Sequence, residues 1–224
     1  DRVLRQLASS MGVQSFGTVE LVDALESAGR MTGQLASSVR ATLIGSYHVD
    51  LPFDLTEVTE AAQLASWMPH GVAATLARVS SWSDPEACIR FTFEAISRVV
   101  IAHPDAVAGW TAAAAAGLVR IADGEVAGAS ENLRILLTLQ FGQPWLGPHS
   151  LPFVMQGIRA GMAELHGTVD PLEGVLIDTY DLIAARHGAP AAAEFLLRLV
   201  GNLDENDKRA AARAILTSQD GSTL

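Results

Sequence analysis

Residues 83–122 decide the fold class of this chain, and they read SDPEACIRFTFEAISRVVIAHPDAVAGWTAAAAAGLVRIA. Ser83-Asp84-Pro85-Glu86 places a capping residue before a proline in the first turn, which is a helix start signal. His103-Pro104-Asp105 restarts the chain in the same way after the first apolar stretch. The pattern therefore predicts two consecutive helices.

The first of these helices is apolar on two faces, which is typical of a helix packed on several sides. One face carries Cys88, Phe91, Ala95 and Val99, and the other carries Ile89, Phe93, Ile96 and Val100. The second helix, over 106–122, surrounds Trp110 with alanines. It is shorter than the ~20 residues that a membrane span needs, and charged residues bound it. We therefore predict two buried helices and no membrane partner.

The pattern extends outward from this stretch without strand signals over residues 55–218. Breaks at proline and glycine predict further helices on both sides of residues 83–122. Gly157 and Gly161 lie on one of them and predict close helix packing. No fixed repeat period occurs, so an irregular multi-helix bundle is expected over 55–218, followed by a flexible tail over 219–224.

The bulk composition is that of a packed globular protein, with 49% hydrophobic and 18% charged residues among 224. Twenty-five acids against 15 bases give a net charge of -10. Because DNA and anionic membranes both attract positive surfaces, neither is an expected partner. The single cysteine, Cys88, lies among apolar residues and is expected to be buried. No secretory signal is evident, so a cytoplasmic location is expected, and the abundance of alanine and arginine suggests a bacterial source.

The first quarter of the chain has a different pattern. A short helix over 1–9 precedes a strand-like run over 12–16, and helices follow over 18–28 and 32–44, with Thr18 and Thr32 as caps. Residues 47–51 then alternate as a strand would. This order predicts a small α/β unit with two strands.

Several short motifs in this unit resemble the C-terminal half of a PIN-type nuclease domain. They are Asp1-Arg2-Val3-Leu4-Arg5, Gly12-Val13, Phe16-Gly17-Thr18 and Leu21-Val22, followed by the helix over 39–45 and by Tyr47-His48-Val49. The resemblance covers residues 1–54. The expected fold is therefore mainly α, with a partial PIN-like α/β unit before the helical bundle.

The resemblance implies a metal-dependent nuclease chemistry. In that family three or four clustered acids hold Mg²⁺ or Mn²⁺, which activates water against a phosphodiester. Asp1 matches the acid that precedes the family's arginine, so it is implied to be both catalytic and metal-binding. The family's other acids would precede Asp1, so this chain alone is expected not to cleave RNA. On its residues alone, Asp1-Arg2 is equally well a solvated terminus.

A winged helix-turn-helix is the rival interpretation of the same stretch, because two helices precede a strand. Its recognition helix would span residues 32–44. Arg40 is the only basic residue there, and binding to DNA phosphates needs more positive charge.

The loop over 142–152 is the most unusual part of the helical section, since it combines three prolines with Trp145, Leu146 and His149. Aromatic residues in such a setting are typical of partner-binding surfaces. We therefore predict these three residues as contacts for a protein partner. The plainer alternative is a loop anchored by a buried tryptophan.

Two functions are compatible with these patterns. The first is a regulatory or effector protein of the PIN-like, metal-dependent ribonuclease class, with RNA as a target and the helical domain as its protein-binding module. The alternative is a non-enzymatic helical scaffold for protein–protein interaction.

Overall fold

The computed structural model describes residues 10–11, 17–48, 51 and 53–221, and this part of the chain is helical, with no strand. A 3-10 helix, Val79–Ser83, lies between α4 and α5. The α-helices are α1 (Thr18–Ser27), α2 (Gly33–Gly45), α3 (Leu55–Leu64), α4 (Gly71–Leu76), α5 (Pro85–Val99), α6 (Pro104–Ile121), α7 (Val126–Phe141), α8 (Leu151–Met162), α9 (Leu172–His187), α10 (Ala189–Leu199) and α11 (Glu205–Gly221). The prediction of a mainly helical protein is confirmed.

The predicted α/β unit is not supported. Where the second strand was expected, Tyr47 has a φ of +63°, which a strand residue does not adopt. The amide groups of Tyr47 and His48 donate to the carbonyl groups of Ile44 and Leu43, each at 3.0 Å, so the chain turns back on the end of α2. Tyr47 and His48 therefore belong to a helix-terminating turn. Residues 49–50, the helix over 1–9 and the strand-like run over 12–16 lie outside the described residues.

Local capping explains where several helices begin. The hydroxyl of Thr32 accepts from the amide of Leu35 at 3.3 Å, and Asp84 accepts from the amide of Ala87 at 3.0 Å, as the sequence predicts. The start of α1 differs, since Gly17 is its N-cap and the Glu20 carboxylate accepts from the Gly17 amide. The last helix runs to Gly221, so it includes the first three positions of the tail predicted over 219–224.

Helix α6 is the centre of the bundle, because it contacts α4, α5, α7, α8 and the 3-10 helix. Most of its side chains from Val107 to Val119 are buried, and Trp110 is completely so. The alanines and Gly117 keep α6 thin enough for this: a Cβ atom on Gly117 would lie 2.0 Å from the indole nitrogen of Trp82. The alanine-rich stretch is thus a buried helix, as predicted.

Helix α5 packs on several sides, against α3, α6 and the 3-10 helix, as its two apolar faces predict. Cys88 and Phe91 of one face are buried. On the other face Ile96 is completely buried, whereas Ile89 and Phe93 are only half-buried, so this face is covered only in part. No helix among the described residues combines the length and apolar character that a bilayer crossing requires.

Candidate partner-binding groove

The partly covered face of α5 forms one wall of a surface groove. The end of α7 and the loop that follows it form the other wall. The groove has two parts, of about 760 Å³ and about 530 Å³, which share Ser97, Pro144 and Trp145. We call it the Trp145 groove, and it is defined by Ile89, Phe93, Ser97, Ile101, Leu139, Pro144 and Trp145.

Ser150 fixes the loop that carries Trp145. Its hydroxyl oxygen accepts from the amide of Gly147 at 2.9 Å and donates toward the carbonyl of Trp145 at 3.1 Å. The Leu146 amide also donates to the carbonyl of Gln143 at 3.1 Å. The loop is therefore a series of hydrogen-bonded turns, and these turns hold Trp145 in place.

The Trp145 ring is half-buried and packs edge-on against Phe93 of α5, with ring centroids 6.1 Å apart. Its indole N–H is buried and has no acceptor within the described part of the chain. The indole groups of Trp82 and Trp110, in contrast, each donate to a backbone carbonyl at 2.8 Å. A buried indole N–H usually has such a partner. Trp145 is thus positioned by its ring contact and by its loop.

Apolar side chains dominate the exposed parts of the groove. Ile101, just after α5, is 94% exposed, and Leu139 of α7 is 41% exposed. Both line the groove together with the half-buried Ile89 and Phe93. Singly exposed apolar residues are normal, whereas a contiguous set in a concave surface is typical of interaction sites.

Charges of both signs border this apolar surface on one side. Glu86, Arg90, Glu94 and Arg98 follow one another at four-residue spacing along α5. Arg90 lies 3.6 Å from Glu86, and Arg98 lies 3.2 Å from Glu94. Such exposed pairs contribute roughly 0.3–0.5 kcal/mol each, so they can exchange partners at little cost. Arg98 is held further, because its guanidinium carbon lies 5.5 Å from the centre of the Trp67 ring.

Of the three residues predicted to contact a partner, Trp145 and His149 line the groove and Leu146 does not. Trp145 lines both parts of the groove, and His149 lines the smaller part. The His149 Nδ1 atom lies 3.2 Å from the side-chain nitrogen of Asn202, which joins the loop to the chain beyond α10. Leu146 packs against the hydrophobic core and lines neither part. Asp1 lies outside the described residues.

Sequence reasoning missed the α5 side of the groove. Ile89 and Phe93 were expected in the core, and Ile101 and Leu139 were not singled out. A signal was present: α5 is apolar on two faces but also carries the charged row from Glu86 to Arg98. Since those charges must stay in water, the neighbouring apolar face had to lie at the surface boundary.

The acids of α1 serve a structural purpose. Asp23 and Glu26 each accept from the Arg40 guanidinium at 2.7 Å, and Glu57 of α3 accepts at 3.3 Å. The hydrogen bonds to Glu26 and Asp23 raise the pKa of Arg40. The cation therefore joins α1, α2 and α3, and it is already engaged by three carboxylates, which disfavours its use on DNA phosphates. No cluster of His, Cys, Asp and Glu able to hold a metal occurs among the described residues.

No protein-family model, curated protein or solved structure matches this chain.

Proposed function

We propose that this chain is a helical protein-interaction module that binds a protein partner in the Trp145 groove. The observation that carries the proposal is the partly exposed apolar face of α5 opposite a fixed tryptophan. Ile89 and Phe93 on one wall and Leu139 and Trp145 on the other form a continuous concave surface.

The energetics favour occupation of the groove. Complete burial of one Ile, Leu or Phe side chain is worth about 1.5–3 kcal/mol, so covering these partly exposed side chains would contribute several kcal/mol. Trp145 adds an aromatic anchor near the centre of the surface, where binding energy is usually concentrated. Because Ser150 already holds the loop, little conformational entropy remains to be lost there on binding.

The walls define the chemistry of the partner. One wall is the side of α5, and the other is the end of α7 with the loop that follows it. The backbone N–H and C=O groups of the helices are bonded within α5 and α7, and the loop forms hydrogen-bonded turns of its own. An extended peptide would therefore find few main-chain partners there, whereas a helix satisfies its own backbone groups. The partner surface is therefore a helix that offers apolar side chains, with charges of both signs beside them to match Glu86, Arg90 and Glu94.

The ribonuclease role stays a prediction. It depends on Asp1, on residues 12–16 and on the acids that the resemblance places before Asp1. Its test is RNA cleavage with Mg²⁺ or Mn²⁺ by the full natural protein and by its Asp1→Asn variant. The interaction module is compatible with this role and with the scaffold alternative.

Site-specific photo-crosslinking tests the proposed function. A benzophenone-bearing phenylalanine analogue replaces Ser97, which is exposed and lines both parts of the groove. The matched control carries the same analogue in place of Leu197, an exposed residue of α10 outside the groove. Both variants are irradiated in the cells from which the chain derives, and the adducts are identified by mass spectrometry.

We expect a discrete protein adduct at position 97 and none at position 197. A further substitution, Ile89→Glu, places a charge in the apolar wall and should abolish that adduct. Absence of a protein adduct at position 97, or equal adducts at both positions, would contradict the proposed function.

A further inference from the structure

We infer that the partner in the Trp145 groove is a second copy of this chain, bound with the two α5 helices antiparallel. The inference rests on the proposed function, and it names the occupant. It follows from the order of charges along α5.

The middle of the charged row beside the groove is complementary to itself. When Thr92 is at the centre of an antiparallel contact, Arg90 lies opposite Glu94 of the second copy, because position 92 is midway between them. Each copy then contributes one cation and one carboxylate that meet an opposite charge. Glu86 and Arg98 are about 120° apart around the helix, and Arg98 lies over the Trp67 ring, so this outer pair is not part of the contact. A parallel pair in register would instead oppose like charges, which is unfavourable.

The apolar side of the contact obeys the same symmetry. A twofold axis perpendicular to two antiparallel helices keeps each row of side chains beside its own counterpart. The charged row of one copy therefore meets the charged row of the other, and the stripe of Ile89 and Phe93 meets the same stripe. Phe93 lies one residue from the centre, so the two Phe93 rings meet near the axis. Trp145 flanks this stripe on each copy.

Arg90 and Glu94 are accessible to a second copy, because their side chains are 64% and 45% exposed. In the dimer they would keep their pairs with Glu86 and Arg98 within α5 and add pairs across the axis. A network of several charges contributes more than an isolated exposed pair.

Sedimentation equilibrium of the purified chain is the first measurement, supported by light scattering. A monomer has a mass of 23.6 kDa. We expect twice that mass at about 100 μM, where a complex with a micromolar dissociation constant is largely formed. Arg90→Glu opposes two carboxylates across the axis, and Glu94→Arg opposes two guanidinium groups. Each variant alone should raise the dissociation constant at least about tenfold.

Charge exchange then tests the antiparallel register. An equimolar mixture of the Arg90→Glu and Glu94→Arg variants restores opposite charges at both positions, as does the double variant, so both should dimerise as the wild type does. Arg198→Glu is the matched control, because it breaks the exposed pair with Glu194 on α10. It should leave the dissociation constant unchanged. Far-ultraviolet circular dichroism verifies that every variant is folded.

Three outcomes would overturn the inference: a monomeric wild type at this concentration, equal dimerisation of all variants, or a mixture that stays monomeric. The crosslinking experiment separates these from failure of the proposed function. A monomeric chain that still forms an adduct with another protein at position 97 keeps its interaction role with a different occupant. A monomeric chain without that adduct loses both proposals.

Discussion

Gly161 of α8 lies so close to Ala115 of α6 that a Cβ atom on the glycine would be 2.3 Å from the alanine Cβ atom. One turn earlier, a Cβ atom on Gly157 would be 2.6 Å from the carbonyl oxygen of Ala108. The two helices therefore touch backbone to backbone along two turns. This contact fills the side of α6 that faces α8 and places the loop before α8, with Trp145, beside α5.

Gly161→Ala should destabilise the protein by about 1–3 kcal/mol, because the backbone of α6 must move to admit one methyl group. Gly174→Ala on α9 is the matched control: a Cβ atom there meets nothing within 4 Å. Alanine is the better helix former, so this control should stabilise by about 0.5–1 kcal/mol. Urea denaturation of both variants measures the two effects. Equal effects would show that α6 and α8 are further apart than described.

Arg159→Met should destabilise by about 2–3 kcal/mol. Arg159 donates two hydrogen bonds to Asp207, whose side chain is only 7% exposed, so the variant leaves a carboxylate buried without its cation. The exposure of Arg159 itself, 37%, keeps the loss below that of a fully buried pair.

Arg213→Met serves as the control for this prediction. It breaks the pair with Glu173, in which both side chains are exposed, and should lower the free energy of unfolding by less than about 1 kcal/mol. Thermal or urea denaturation that ranks the two variants in the reverse order would exclude a structural role for the contact between Arg159 and Asp207.

Cys88 should not react with thiol reagents in the folded protein. Burial, aided by the nearby charge of Asp84, raises the pKa of Cys88 to about 12, and the thiol donates to the carbonyl of Ser81. Reaction with an aromatic disulfide at about pH 8 should therefore proceed only as fast as the chain opens. In denaturant, one thiol per chain should react at once. Rapid labelling without denaturant would place the thiol at the surface.

Glu57→Gln should change the pH dependence of stability. Burial raises the pKa of Glu57 above its ordinary value of 4.5, although the hydrogen bond from Arg40 opposes this. The folded chain therefore holds this proton more tightly than the unfolded chain. The contribution of protonated Glu57 to the free energy of unfolding is fully present below pH 4.5. It is lost as the pH rises through the pKa of Glu57 in the folded chain. The free energy of unfolding of the variant, relative to wild type, should rise from about pH 4 to about pH 7.

Glu173→Gln should show the opposite slope. The hydrogen bond from Arg213 lowers the pKa of Glu173, so its stabilising effect is present above pH 4.5 and is lost as the pH falls through the folded pKa. Relative to wild type, this variant should become less stable as the pH rises from about pH 3 to about pH 6. Urea denaturation across these ranges checks both slopes, and parallel slopes would contradict the assignment.

Capping and helix start signals could be predicted from the sequence, since they involve residues three or four positions apart. Asp84 and Thr32 bond to amides of their own first turns, so no distant contact decides these helix starts. The apolar stretch around Trp110 could be assigned to a buried helix for a related reason: it carries too few polar groups to face water. Tyr47 misled the prediction, because its alternating neighbours imitate a strand while its amide bonds back to α2.

By itself, the sequence determined the helical character of residues 55–218, the starts of α2, α5 and α6, and the burial of Cys88 and Trp110. Only the tertiary structure decided how much of the second apolar face of α5 would be covered and that Trp145, not Leu146, would face the groove. These outcomes depend on how closely α6 and α8 approach, and that distance is set by side chains more than forty positions apart. Burial of a face is a property of the whole packing, whereas a helix start is a property of a few neighbouring residues.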